Sequence, residues 1–255
     1  INIGENQTAI YYNSNKLENY DAVLPRIGAS QTSYGTAIVR QFEMTGNSVV
    51  NKSDAIIASR DKLRSLQILT QHGIDMPITG YASHIMDIQD VIEKVGKTPL
   101  IMKLLQGTQG NGMVLAETMK AAESVMSAFK QVDADILVQE FIKESSGIDI
   151  RVIVVGNKVI ASMQRVAPEG EFRSNVHRGA ATKHIDLTHE EKEIAVKSTK
   201  VLGLNVAGVD LMRSKRGPLV LEVNSSPGLQ GIELLTGADV AGEIISYIES
   251  IFNNK

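Results

Sequence analysis

Two carboxylates and an amide oxygen stand together in the stretch GVDLMRSKRGPLVLEVNSSPG. The apolar runs Val206–Arg213 and Pro218–Asn224 read as a hairpin closed around SKRG. A three-residue turn over Lys215–Gly217, with Gly217 in the left-handed conformation, sets Asp210 opposite Glu222. Asn224 lies two residues beyond Glu222 and shares its face. Among Val, Leu and Gly these carboxylates would repel each other unless something offset their charge. Hard oxygen donors of this kind suit Mg²⁺, which takes one or two carboxylates and completes its shell with substrate phosphates and water. An outward-facing acidic patch is the alternative, and the apolar flanks argue against it.

A second group of residues lies upstream. In LIMKLL, Lys103 alternates with Ile101 and Leu105, so an ammonium falls where an apolar residue is expected. It needs an anion, which a phosphate or a structural carboxylate would supply equally well. The strand feeds GTQGNG, in which Gly107, Gly110 and Gly112 let backbone N–H groups approach an anion closely. The Rossmann and P-loop glycine patterns are both absent, so the loop reads either as a phosphate-covering flap or as a flexible hairpin tip. Lys62 opens a helix whose dipole it opposes, placed for a ligand or merely solvated. Downstream, PEGEFRSNVHRG brings together Arg173, Ser174, Asn175, His177 and Arg178 just after Arg165. Guanidinium forks suit carboxylate and phosphate, so this is an anion-handling loop; His177 has no paired histidine and reads as solvated or structural.

The elements that must position these groups are mixed. Asn19–Ser33 reads as a strand running into a loop, and the amphipathic helix after Ser59 carries Leu63, Leu66 and Leu69 before stopping at Gly73. Pro99–Thr118 is a hairpin with a glycine-rich connection, Met119–Gln131 a helix and Ile136–Ile142 a buried-type strand. Asp149–Val155 and Lys158–Arg165 flank the hairpin signal Gly156-Asn157. Thr188-x-x-Glu191 is a capping box for a helix ending at Gly203, and Ala238–Phe252 closes the chain as a helix. Prominent hairpins favour antiparallel α+β layers over a doubly wound parallel sheet.

Composition narrows the chemistry. The 255 residues suit two or three packed subdomains, and a net charge of -3 argues against broad binding to nucleic acid. There is no Cys, hence no thiolate nucleophile, disulfide framework or Cys-based metal site, which fits a reducing cytoplasm. No apolar run reaches the roughly 18–20 residues of a membrane-spanning helix. The chain opens on Ile1 rather than Met, which points to an upstream segment.

In order, Lys62 on a helix, Lys103 before GTQGNG, QEFI on a strand, DIR, FRSNVHRG and D…E-V-N-SSPG resemble the ATP-grasp superfamily and, within it, the RimK-type alpha-L-glutamate ligases. The resemblance runs from about Tyr11 to Phe252 and implies an α+β ATP-grasp fold, two subdomains clasping ATP behind a truncated N-terminal α/β domain. The expected division is 1–58, 59–142 with the glycine-rich lid, and 143–255 with the metal site. By resemblance, Lys62 and Lys103 contact ATP phosphates, and Glu140, Phe141 and Ile142 form the hinge against adenine; Phe141 stands where relatives carry Tyr. Asp149 meets the ribose, and Arg173, Ser174 and Asn175 line the nucleotide and acylphosphate site. Asp210, Glu222 and Asn224 ligate Mg²⁺, with Mn²⁺ as a substitute, while Arg165 and Arg178 hold the carboxylate and the tetrahedral intermediate. The implied reaction joins glutamate to a protein C-terminal carboxylate, that of a small-subunit ribosomal protein, in a cytoplasmic homo-oligomer. A ligase for another small acid or carrier protein, and a non-catalytic ATP-binding regulatory module, are the alternatives.

Overall fold

The computed structural model describes every residue except 5–6, 83–87, 106–111, 132–133, 175–178 and 253–255. The N-terminal segment is made of short pieces. β1 (Asn2–Gly4) pairs with β2 (Gln7–Ala9), and β3 (Tyr11–Tyr12) with β4 (Asn15–Lys16). β5 (Ala22–Val23) runs parallel to β6 (Ser48–Val49), with α1 (Thr32–Met44) crossing between them and burying Val39 and Phe42 against Val49. α2 (Ser53–Arg60) and α3 (Lys62–Gln71) follow. α3 is the helix expected after Ser59, and it is set off from α2 at Asp61, whose carboxylate accepts the Arg64 N–H at 3.0 Å and caps it. Lys62 is the first residue of α3.

The next layer is an antiparallel sheet with two helices on one face. It comprises β7 (Thr79–Ala82), α4 (Ile88–Val95), β8 (Leu100–Leu104), β9 (Met113–Ala116), α5 (Met119–Gln131) and β10 (Ile136–Glu140), with strands ordered β7-β10-β8-β9. Leu100, Met102, Ile136 and Val138 pack with Ile92, Val95, Ala122 and Met126. Strand alternation turns Ile101, Lys103, Leu137 and Gln139 to the opposite face. The glycine-rich tip, including Gly107 and Gly110, lies outside the described residues; Gly112 is described, with a φ of 72°.

β11 (Ile148–Val155), β12 (Lys158–Val166), β13 (Ala181–His184), α6 (His189–Val201), β14 (Val206–Ser214) and β15 (Gly217–Asn224) come next, then α7 (Gln230–Thr236) and α8 (Val240–Phe252). The five strands form an antiparallel sheet ordered β13-β12-β11-β14-β15. α6 starts with both halves of the capping box, Glu191 N–H to Thr188 Oγ1 at 3.2 Å and Thr188 N–H to Glu191 Oε2 at 2.9 Å. One face of the sheet buries Ile150, Val152, Val154, Val209 and Leu211 with Leu69 of α3 and Ala195 of α6. The other buries Ile153, Val155, Ala161, Met163 and Val206 under Ile232, Ile244 and Ile248 of α7 and α8. By alternation this second face continues into Asp149, Arg151, Arg165 and Asp210, so one surface is apolar at one end and charged at the other. Among the described residues no helix is long and apolar enough to cross a membrane.

The β14–β15 hairpin reaches its register by a route the sequence does not display. Ser214 pairs with Gly217, so the turn has two residues, and a bulge between Asp210 and Leu211 restores the pairing of Asp210 with Glu222. Gly217 keeps the positive φ, 103°. The hairpin tip docks on the segment after β10: Ser145 Oγ donates to Arg213 O at 2.5 Å, Lys215 N–H donates to Glu144 Oε1 at 2.9 Å, and Arg216 pairs with Glu140.

Candidate active site

A row of charge crosses the five-stranded sheet. Strand pairing sets Arg165 opposite Asp149, Arg151 opposite Asp210, and Asp210 opposite Glu222. Arg165 donates from Nε and Nη2 to Asp149 at 2.5 and 2.6 Å, and its Nη2 also lies 2.9 Å from Asp210 Oδ2. Arg151 bonds both Asp210 oxygens, the Nη2–Oδ2 contact being 2.8 Å. Ser174 Oγ adds a donor to Asp149 at 2.5 Å. Asp149, Arg165, Ser174 and Asp210 are all buried. Burial alone would raise the Asp210 carboxyl, but the guanidiniums of Arg151 and Arg165 outweigh it and hold the group down at about 2. Asp149, which has only a share of Arg165 beside the Asp210 charge, is pushed up, chiefly by burial.

Several of the expected site residues have partners inside the protein. Asp149 was expected at a ribose, yet its oxygens are engaged by Arg165 and Ser174 inside the protein. Arg165, expected to hold the substrate carboxylate and tetrahedral intermediate, is 5% exposed and bonded to two aspartates. Ser174, expected at the nucleotide, gives its hydroxyl to Asp149. Arg173 forks onto Glu171, with Nη2–Oε2 at 2.6 Å, and lies over the Phe172 ring. Asn175, His177 and Arg178 lie outside the described residues. Arg151 was missed as a site residue, although D-I-R alternation puts it on the face of Asp149 and hairpin register puts it beside Asp210.

The metal expectation rests on donor chemistry. Glu222 is exposed, and Asn224 Nδ2 donates to Glu222 Oε1 at 3.0 Å, so the amide orients the carboxylate and keeps its own oxygen for another partner. Among the described residues no group of three or more His, Cys, Asp or Glu forms a self-sufficient metal cage. Both Asp210 oxygens accept from Arg151, and Oδ2 also lies 2.9 Å from Arg165, so the donors left open toward a hard divalent ion that arrives with phosphate oxygens are Glu222 and the Asn224 amide oxygen.

Lys103 belongs to the four-stranded sheet, and Lys62 to α3, which packs on the five-stranded one. Lys62 Nζ donates to Leu104 O at 2.7 Å, tying the start of α3 to β8, and Lys103 Nζ donates to Gln139 Oε1 at 2.6 Å. Gln139 is itself fixed by donation from its Nε2 to Thr79 Oγ1 at 2.8 Å. Burial pushes Lys103 down to about 8, with Glu222 opposing and Lys62 reinforcing the shift. Lys62 is also lowered by burial and steadied by Glu222. Each lysine therefore senses the exposed carboxylate of Glu222.

Glu140, Phe141 and Ile142 leave β10 and line a 370 Å³ cleft together with Lys97–Pro99 and the Ser214–Arg216 tip. The Glu140 side chain accepts from Ile78 N–H at 2.7 Å and from Arg216, on the face opposite Lys103. Its main-chain N–H is used by Ile78 O at 2.9 Å.

Comparison with known proteins identifies the family and the fold. Residues 59–248 match the RimK-like ATP-grasp domain and residues 1–56 the RimK PreATP-grasp domain. A curated relative from Methanococcoides burtonii, named probable alpha-L-glutamate ligase, is 60% identical over 249 residues, 98% of this chain and 83% of the relative. The fold is shared with a RimK domain ATP-grasp protein from Sphaerobacter thermophilus, with a TM-score of 0.69 and 23% identity, covering 90% of this chain and 82% of that one. It is also shared with a D-alanine–D-alanine ligase from Bacillus anthracis complexed with ATP, with a TM-score of 0.70 and 22% identity over 92% of this chain and 81% of that one. With the two-layer architecture, the two lysines and the carboxylate row in place, the chain belongs to the RimK-like ATP-grasp family.

Proposed function

We propose that the protein is an ATP-dependent acid–amino-acid ligase that adds glutamate to the C-terminal carboxylate of a protein, as the relatives' name and the site chemistry suggest. The observation that carries this reading is the placement of Lys62 and Lys103 near Glu222, beside paired Asp210. The lysines bind the phosphates of ATP and neutralise charge on the transferred group. Asp210, Glu222 and Asn224 would hold Mg²⁺, which neutralises phosphate charge when bound. Arg151 and Arg165 hold Asp210 ionised and fixed, so the row stays set while substrates exchange.

In the first step a carboxylate oxygen of the acceptor attacks the γ-phosphorus, and ADP leaves with the electron pair of the broken P–O bond. In the second, the amino group of glutamate attacks the acylphosphate carbonyl, the amine loses a proton, and inorganic phosphate departs. No side-chain nucleophile is needed, consistent with a chain that has no Cys. The adenine is assigned to the hinge at Glu140, Phe141 and Ile142, and a small-subunit ribosomal protein is the acceptor that the resemblance implies. The test is ADP release with ATP, glutamate and a peptide acceptor, each omitted in turn. All three are expected to be required; steady ADP release from a peptide amidated at its C-terminus would overturn the reading.

A further inference from the structure

The chain crosses between the two large sheets twice, and the two crossings are laced together. It enters the four-stranded sheet through residues 72–78 and leaves it through 141–147. Where they meet, Glu140 N–H donates to Ile78 O at 2.9 Å, and Ile78 N–H donates back to Glu140 Oε1 at 2.7 Å. The incoming stretch is also tied to the five-stranded sheet, because Val220 N–H of β15 donates to Asp75 O at 2.9 Å. The outgoing stretch is tied there through Glu144 and Ser145, both bonded to the β14–β15 tip.

Arg216 completes the lacing from that tip. Its Nη2 donates to Oε1 of Glu140, the same oxygen that receives the Ile78 N–H. The tip is a firm support, since Arg213 forks onto Glu191 at 2.6 and 2.9 Å, and Glu191 is 2% exposed and belongs to the capping box of α6. The far end of the same hairpin carries Asp210 and Glu222. Without Arg216, the Glu140 carboxylate would keep the Ile78 N–H as its only donor among the described residues. Its side chain is 20% exposed, so water could then compete for that carboxylate.

We propose that Arg216 is a positioning residue for nucleotide binding: it holds Glu140 onto Ile78 and so sets how the two sheets meet at the hinge. The proposal rests on the ligase reading above, from which it takes the placement of adenine at Glu140, Phe141 and Ile142. Arg216 acts through Glu140 rather than on a reacting atom. Its side chain is 48% exposed, so its effect is modest and screened by salt, unlike that of a packing contact.

The experiment compares the wild type with Arg216→Met and Arg216→Lys by amide hydrogen exchange, by ATP calorimetry and by kcat at saturating ATP. In Arg216→Met the Ile78 amide is expected to exchange about tenfold faster, while the Val209 and Val223 amides in the body of the sheet keep their rates, which separates local release from general loosening. The ATP Kd should rise about threefold to tenfold, with kcat changed less than about twofold. Arg216→Lys should fall between, since an ammonium keeps the charge and loses the planar fork. The difference in Kd between the wild type and Arg216→Met should shrink in about 1 M salt. Unchanged exchange at Ile78, faster exchange with unchanged ATP affinity, or an equal, salt-independent loss in both variants overturns the proposal. A wild type that binds no ATP would instead strike the ligase reading, and exchange at Ile78 would still decide whether Arg216 holds the crossing.

Discussion

Replacing Lys103 with Met removes an ammonium from a half-buried strand face, and its effect on stability has a sign that depends on pH. The ammonium titrates at about 8 in the folded chain against an ordinary value of 10.5. That gap corresponds to at most about 3 kcal/mol of destabilisation when the lysine is charged in both states. Solvent reaching the side chain reduces this figure, and the variant leaves Gln139 Oε1 without its 2.6 Å donor, so a net gain of about 1–2 kcal/mol is expected at pH 7. For a chain of this size that is about 2–8 °C in Tm. Because the folded pKa lies below the unfolded one, the penalty is fully present below pH 8 and fades as pH rises toward 10.5. The variant should therefore melt above the wild type at pH 7, and the gap should close, or reverse, by pH 10.5. Calorimetry of both proteins from pH 7 to 10.5 checks this. A constant gap across that range, or a variant that melts lower at pH 7, would refute the assignment of Lys103 as an unneutralised buried cation.

Arg165→Met should cost about 3–5 kcal/mol, read as a fall in urea midpoint, because Asp149 and Asp210 would stay buried without their shared guanidinium. Glu222→Gln should leave stability within about 0.5 kcal/mol, since the side chain is exposed. It should weaken Mg–ATP binding by about tenfold or more in calorimetry, and Lys103 should titrate lower still, since Glu222 normally raises it.

The site was legible where it depended on alternation and strand pairing. Asp210 opposite Glu222 followed from a hairpin with Gly217 left-handed, even though the turn is shorter than expected and a bulge makes up the difference. Lys103 was visible because an ammonium interrupts an apolar face. The partners were not visible: Gln139 reaches Lys103 from β10, and Arg151 reaches Asp210 only once β11 and β14 are known to be neighbours. The charge of Arg165 was visible in the sequence, but its burial between two aspartates was not. The N-terminal contributions from Arg26 and Asn51 were hidden for a simpler reason, since each bonds residues more than 150 positions away. α1, α2, α4 and α7 were not anticipated, although Ile88, Val91, Ile92 and Val95 of α4 do recur at helical spacing.

The central claim is that a carboxylate is phosphorylated before the amide forms. Its direct test is ligation of a peptide whose C-terminal carboxylate carries ¹⁸O, followed by mass spectrometry of the released phosphate. An acylphosphate path transfers one labelled oxygen to each phosphate, and the amide keeps the other. Phosphate released without label while glutamate is joined would contradict the mechanism.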